Sequence, residues 1–297
     1  MANAADMALT EPLRILLMGY PGSAKTGMLA QLANIGYKIR MLDFEANTKP
    51  LVMFTKPEFR KNIDILSFED ELRGGTFIET VGMPTAFARA LNAMDDWKYT
   101  TPKGEVNLGK SKEWGCDTVV VLDSLTAMGI ASKRRAMRLS NKTPLNMTDG
   151  VWNLSMMEQE AFIEKLTAGA NNFHVIVLSH LKMQGPPDVR KGDDDVTREI
   201  KSRLVDLLPT RLYPSALGRQ LPPMIAGNFP IAILAETQYL PGGKMKRVIA
   251  TQPREELDLK MPSTNIPAVL PMETGLVEIF KELAPPLEGC LGKTPTA

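Results

Sequence analysis

The segment Gly19-Tyr20-Pro21-Gly22-Ser23-Ala24-Lys25-Thr26-Gly27 carries residue types that together can hold a nucleotide's phosphates. An apolar run, Leu13-Arg14-Ile15-Leu16-Leu17-Met18, precedes it, and Met28-Leu29-Ala30-Gln31-Leu32 follows. The spacing predicts a strand, a tight glycine-bearing turn and a helix, the order of a phosphate-binding loop. In that order the turn's N–H groups and the new helix's positive end face an anion. Lys25 would meet the β- and γ-phosphates as a mobile charge, and the Thr26 hydroxyl suits Mg²⁺, a hard ion that prefers oxygen. One position departs from the pattern G-x-x-x-x-G-K-[ST], because Ala24 stands where the second glycine belongs. Alanine still donates its N–H, but a positive φ there would cost roughly 1 kcal/mol.

A phosphate cradle hydrolyses nothing by itself. It needs a metal anchor, a group that orients water and a contact that senses the γ-phosphate. Val119-Val120-Val121-Leu122-Asp123-Ser124 reads as a buried strand ending in an acid, so Asp123 is the candidate second Mg²⁺ anchor. The same Asp-Ser pair is also good helix-capping chemistry. Met41-Leu42-Asp43-Phe44-Glu45 ends another strand with two acids at i and i+2, which share one face of an extended chain. Glu45 lies at the carboxyl end, where open parallel sheets bind ligands, and could take a proton from an attacking water. Two solvated loop acids are the plainer alternative. His180, one of 2 histidines, follows a further strand directly and could contact the γ-phosphate or simply sit in a capped loop.

The elements that must position these groups are legible as alternating runs. Strands are expected at 13–19, 38–44, 63–68, 118–123 and 174–179, with a late hairpin of 231–238 and 247–252 around Pro241-Gly242-Gly243. Helices are expected at 25–35, 84–97 and 150–170. The last carries Trp152, Met156, Ile163 and Leu166 on one face. Alternation of this kind predicts an α/β fold with a largely parallel sheet flanked by helices. Residues 100–115 and 184–230 read as irregular, with one short helical stretch near 197–208. The domain expected at 12–260 lies between a flexible tail at 1–11 and a proline-rich tail at 261–297 that wraps the surface or moves.

Composition narrows the class. Of 297 residues, 44% are hydrophobic and 23% charged, enough for a sizeable core, and the net charge of +1 excludes a general polycation. Cys116 and Cys290 have neither the number nor the spacing of a disulfide framework or a metal site. No apolar stretch approaches ~20 residues, so no membrane span is expected. The amino terminus lacks the basic and apolar regions of a signal peptide. A reducing cytoplasm is the expected compartment.

Phosphate loop, Asp-Phe-Glu strand end, Asp-Ser after the Val-Val-Val-Leu strand, then Ser-His after the next strand: this order resembles the RecA-like ATPase core over roughly residues 12–252. The resemblance implies a P-loop NTPase that binds ATP and Mg²⁺, with Glu45 as catalytic base, Asp123 and Ser124 closing the Walker B element, and His180 as the polar residue that closes the next strand. The short chain, the Asp149-Gly150-Val151-Trp152 helix start and Tyr213-Pro214-Ser215-Ala216-Leu217-Gly218 are similar to phage Sak-type single-strand annealing ATPases. Such a protein would work in the bacterial host cytoplasm on single-stranded DNA, alone or with a single-stranded-DNA-binding protein.

RecA-like ATPases complete their sites between subunits of a ring or filament. That implies a finger at Lys244-Met245-Lys246-Arg247, with Lys244 and Lys246 in phase and Arg247 as runner-up; a solvated hairpin is the alternative. It also implies DNA contacts after the fourth and fifth strands, at Lys133, Arg134, Arg135 and Arg138 and then at Lys182, Arg190, Lys191, Arg198, Lys201 and Arg203. Asp193, Asp194 and Asp195 weaken the second group. Ala24 gives a competing likeness to MoxR-type and MCM-type AAA+ ATPases, which remodel proteins. Those place the catalytic glutamate directly after the Walker B aspartate, where this chain has Ser124, and they carry a helical lid where this chain reads as β. A nucleotide-binding switch with little hydrolysis is the third class.

Overall fold

Buried aliphatic runs assemble as the central sheet because each has two apolar faces to cover. Strand β8 (Thr118–Asp123) shows this: Val119 and Val121 enter one apolar layer, Val120 and Leu122 the opposite one, and all are fully buried. The computed structural model describes residues 11–74, 79–185, 194–200, 210–239 and 241–290. The other strands of the sheet are β1 (Arg14–Met18), β2 (Lys38–Asp43), β3 (Ile63–Ser67), β9 (His174–Ser179), β12 (Ile231–Tyr239), β13 (Met245–Ala250) and β14 (Val269–Pro271). The order is β14-β13-β12-β1-β9-β8-β2-β3. Strands β12 through β3 run parallel, and β13 and β14 add antiparallel at one edge. Three small ribbons stand apart: β4 (Leu72–Arg73) with β5 (Glu79–Thr80), β6 (Lys98–Thr101) with β7 (Gly104–Asn107), and β10 (Leu181–Gln184) with β11 (Arg211–Pro214).

Helices cover both faces. On one lie α1 (Lys25–Met28), α2 (Ala30–Ala33) and α3 (Lys49–Phe54); on the other lie α4 (Ala86–Ala93), α5 (Leu125–Leu139), α6 (Asp149–Thr167) and α7 (Leu221–Gly227). The seven expected strands all form, within a residue or two at their ends. The helix expected at 25–35 is interrupted at Leu29 and those at 84–97 and 150–170 are shorter. Part of the region read as irregular at 100–115 is the β6–β7 hairpin, closed by Gly104 at a φ of 124°. The helix expected at 197–208 falls mostly outside the described residues, as do most of the amino-terminal tail and residues 291–297.

Two expectations are overturned. Residues 261–290 are no tail: β14 pairs with β13, and α8 (Gly275–Leu283) buries Leu276, Ile279 and Phe280 against Ile249 and Leu32, followed by α9 (Leu287–Cys290). The prolines there shape short connections between apolar anchors, so proline content misleads as a sign of mobility. The two cysteines are paired, Cys116 to Cys290 with Cα atoms 5.3 Å apart, which ties α9 to the entry of β8. A lone pair 174 residues apart carries no spacing signal, and pairing runs against the expectation of a reducing compartment. Among the described residues no helix is long and apolar enough to cross a membrane.

If the carboxyl-terminal segment is part of the core, Phe280→Ala will destabilise the whole domain by about 3–5 kcal/mol. Urea unfolding followed by circular dichroism measures this; an unchanged midpoint would return the segment to the status of a tail.

Candidate active site

The site forms where β1, β2, β8 and β9 end, because parallel strands deliver their carboxyl ends to one rim. After β1 the chain turns through Gly19, whose hydrogen is obligatory: a Cβ there would lie 2.5 Å from the Ala235 carbonyl and from Ser23 Oγ. Ala24 adopts φ 65°, ψ 22°, so the loop does require the left-handed conformation that alanine tolerates poorly. That geometry delivers Lys25 inward. Its Nζ, nearly buried, donates to the carbonyls of Gly19 at 2.8 Å and Tyr20 at 3.2 Å, and burial lowers its pKa against the opposing pull of Asp123 and Glu45.

Thr26 Oγ1 donates to Asp123 Oδ2 at 2.7 Å, joining the start of α1 to the end of β8. Asp123 is 2% exposed and its pKa is pushed up to about 7, chiefly by burial and then by the charges of Glu45 and Asp43, against the Thr26 hydrogen bond and Lys25. A buried carboxylate in that state calls for a cation, and the adjacent hydroxyl and carboxylate oxygens are the hard donors that Mg²⁺ takes. Among the described residues no cluster of three or more His, Cys, Asp or Glu could hold a metal. Thr26 Oγ1 and the Asp123 carboxylate are the two groups here that would hold such an ion. Ser124 rather than Asp123 caps α5, accepting from the Ala127 N–H, and the Asp123–Ser124 peptide is cis.

The two acids of β2 do not share a face as expected. The strand stops at Asp43, which turns inward to accept from the N–H groups of Glu45 and Ala46, both at 3.0 Å, and from Ser67 Oγ at 3.1 Å. Burial raises its pKa. Asp43 thereby builds the turn that aims Glu45 into the cleft. There Glu45 Oε1 accepts from Ser124 Oγ and lies 3.1 Å from His180 Nε2, so three strand ends meet at one carboxylate oxygen. The sequence offered no sign of the Ser124 contact. The other imidazole nitrogen, His180 Nδ1, is buried without a partner, while the His180 N–H meets Thr126 Oγ1 at 3.3 Å. His174, at the other end of β9, is structural: it accepts from the Leu13 N–H at 2.9 Å and packs on Tyr37 and Phe280.

The cleft, about 410 Å³, is lined by loop residues 21–27 and by Glu45, Asn47, Pro50, Phe54, Asp123, His180 and Arg247. Of the expected finger residues, only Arg247 reaches it. Ala235 pairs with Ile249 and Thr237 with Arg247, so alternation puts Arg247 on the phosphate-loop face of β13 and Lys246 on the other. Lys244 and Lys246 stay at the exposed hairpin.

The expected DNA contacts also separate. Lys133, Arg134, Arg138 and Lys142 line a groove of about 400 Å³ between α5 and the β4–β5 ribbon. Arg135 points away and pairs with Glu158 of α6, which also accepts from Ser132 Oγ at 3.0 Å. Lys182 donates to the Gly218 carbonyl at 3.2 Å. Arg190, Lys191, Lys201 and Arg203 lie outside the described residues.

The AAA domain family (AAA_24) matches residues 11–214, from the entry of β1 to the end of β11. The chain belongs to that family. The chain folds as an α/β unit, a mostly parallel sheet flanked by helices, with the phosphate loop directly after β1. No curated protein matches it. Among solved structures, the RadB recombinase is 14% identical, with 81% of each chain covered and a TM-score of 0.39. The flagellar accessory protein FlaH from Methanocaldococcus jannaschii is 10% identical over 82% of this chain and 79% of that one, at a TM-score of 0.33. A prototypical ATPase of the type III secretion system of pathogenic bacteria is 11% identical over 76% of this chain and 52% of its own length, at a TM-score of 0.37.

The raised pKa of Asp123 has a consequence for stability. Folded, Asp123 keeps a proton that the unfolded chain, with an ordinary carboxylate at 3.8, releases, so ligand-free stability from this group falls as pH rises from 3.8 through about 7. Asp123→Asn should remove most of that slope and raise the melting temperature at pH 8 in EDTA, while weakening Mg²⁺–nucleotide binding. Calorimetric melts at pH 5 and pH 8 measure it; an unaltered slope would place the titration elsewhere.

Proposed function

We propose that this AAA domain protein is a Mg²⁺-dependent ATP hydrolase whose turnover is tied to single-stranded DNA. The observation that carries the reading is the convergence of Lys25, Thr26, Asp123, Glu45 and His180 on one cleft at the strand ends. Lys25 would leave the carbonyls of its own loop for phosphate oxygens. Thr26 and Asp123 would hold Mg²⁺, which when bound would supply neutralisation of phosphate charge. Glu45 takes a proton from water as that oxygen bonds to the γ-phosphorus and the bridging P–O bond breaks, leaving ADP and phosphate. Ser124 and His180 hold the carboxylate in place for this step.

The same carboxylate supports a link to DNA. Ser124 contacts Glu45 and caps α5, the helix that carries the basic groove. Among the described residues lining that groove there is no carboxylate, and Leu72, Ile130 and Met137 give it an apolar floor. Phosphates on the cations and bases on the floor describe a sequence-tolerant, salt-sensitive grip. With the phage-type resemblance, this favours annealing of complementary strands by a phage-encoded recombination protein. The hairpin tip carries exposed Tyr239 and Met245 beside Lys244 and Lys246, a surface suited to a neighbouring copy in a ring or filament.

Lys25→Ala should abolish ATP binding, and Glu45→Gln should preserve it while lowering kcat by ~10²–10⁴-fold. Calorimetry and phosphate release test both, and wild-type affinity in Lys25→Ala would sink the assignment. For DNA, the two sides of α5 make a sharper comparison. Arg134→Ala with Arg138→Ala should flatten the salt dependence of oligonucleotide binding by up to about 1.4 units, roughly 0.7 per lost contact. Arg135→Ala should leave that slope alone and lower stability instead. Fluorescence anisotropy across a salt series decides; no binding by wild type at low salt would end the DNA role.

A further inference from the structure

We infer that Arg247 acts on the nucleotide held by its own chain, in cis. This rests on the ATP reading of the cleft but departs from a finger offered to a neighbour. Strand β12 is hydrogen-bonded to β1 with Met18 opposite Leu234, which carries Ala235 alongside Gly19 at the root of the phosphate loop. Two residues further along β12, past the end of β1, Thr237 stands opposite Arg247. The pair shares a face with Ala235 and Ile249, which pack in the same apolar layer as Leu29 and Leu32 behind the loop. Arg247 therefore rises on the loop's side of the sheet, beyond its rim, and lines the cleft together with Pro21 and Gly22. No rearrangement of subunits is needed to bring it there.

Its chemistry is uncommitted. Among the described residues the Arg247 side chain makes no hydrogen bond or ion pair, whereas the other basic side chain of the phosphate loop's cleft, Lys25, is held by two loop carbonyls. The two carboxylates lining the cleft, Glu45 and Asp123, are engaged with Ser124 and His180 and with Thr26. The guanidinium is thus left to face an incoming anion, and its planar fork matches two phosphate oxygens at once. Bound to the phosphate tail it would offset charge that builds as the terminal phosphoryl group departs.

The test separates cis from trans. Arg247→Ala should lower kcat by ~10²–10³-fold and reduce affinity for ATP more than for ADP, measured at protein concentrations where light scattering shows monomers. Mixed with Lys25→Ala, with and without an unlabelled oligonucleotide, it should show no activity above the sum of the two variants. Recovery on mixing would assign Arg247 to a neighbour's site and overturn the inference, as would wild-type kcat with an unchanged ATP-to-ADP preference. Nucleotide affinity that Lys25→Ala leaves intact would overturn the ATP reading underneath it.

Discussion

The carboxylate of Asp123, buried at the end of a strand with apolar neighbours on both faces, is the constraint around which the site is arranged. Burial disfavours its charge, and two further acids nearby add to the cost. Three features answer that cost: the Thr26 hydroxyl at 2.7 Å, the buried ammonium of Lys25, and a geometry that accepts a hard cation. The strained loop belongs to the same arrangement. Ala24 at positive φ turns the chain so that Lys25 and Thr26 enter side by side. Such local strain is tolerable because β1 is held between β12 and β9 along its length.

Asp43 and Glu45 show how two carboxylates separated by two positions of chain divide into two tasks. Asp43 spends its oxygens on backbone N–H groups and Ser67, so it fixes a turn. Glu45 keeps a half-open carboxylate whose one oxygen is shared by Ser124 and His180. Those partners stand at the ends of β8 and β9, the strands that feed α5 and the β10–β11 ribbon. One carboxylate oxygen is thereby shared by groups that stand at two exits from the sheet.

Much of the sheet was legible because buried parallel strands read as uninterrupted aliphatic runs, and Thr118–Asp123 or His174–Ser179 admit no other assignment. The phosphate loop and Asp123 were legible for the same reason, since they sit at fixed offsets from those runs. What was hidden depended on distance in the chain. Cys116 meets Cys290, and Ser124 meets Glu45, through pairings that no local pattern encodes. The carboxyl-terminal segment was misread because Pro262, Pro267 and Pro271 punctuate it, while Ile266, Leu270, Leu276 and Phe280 between and after them are buried. Long helix α5 was visible only as capping chemistry at its start, its charged positions masking Leu125, Met128 and Ala131 on the inner face.

Periodicity, applied to charges as strictly as to apolar residues, resolves what proximity in sequence blurs. Lys246 and Arg247 are adjacent, yet a strand's period of two sends one to each side of the sheet, and only Arg247 shares a side with the phosphate loop. Arg134 and Arg135 are adjacent too, and a helix turns about 100° between them, so one lines the groove and the other is held by Glu158. A basic cluster read as a block would assign all four to ligand binding. Read by face, the same cations divide into those that meet an open cleft and those that hold the fold or remain at its edge. Arg135 closes its charge on Glu158 within the fold, whereas among the described residues the groove beside α5 has no carboxylate in its lining and the Arg247 side chain has no ion pair, and that imbalance is the physical ground for expecting an anionic ligand at each.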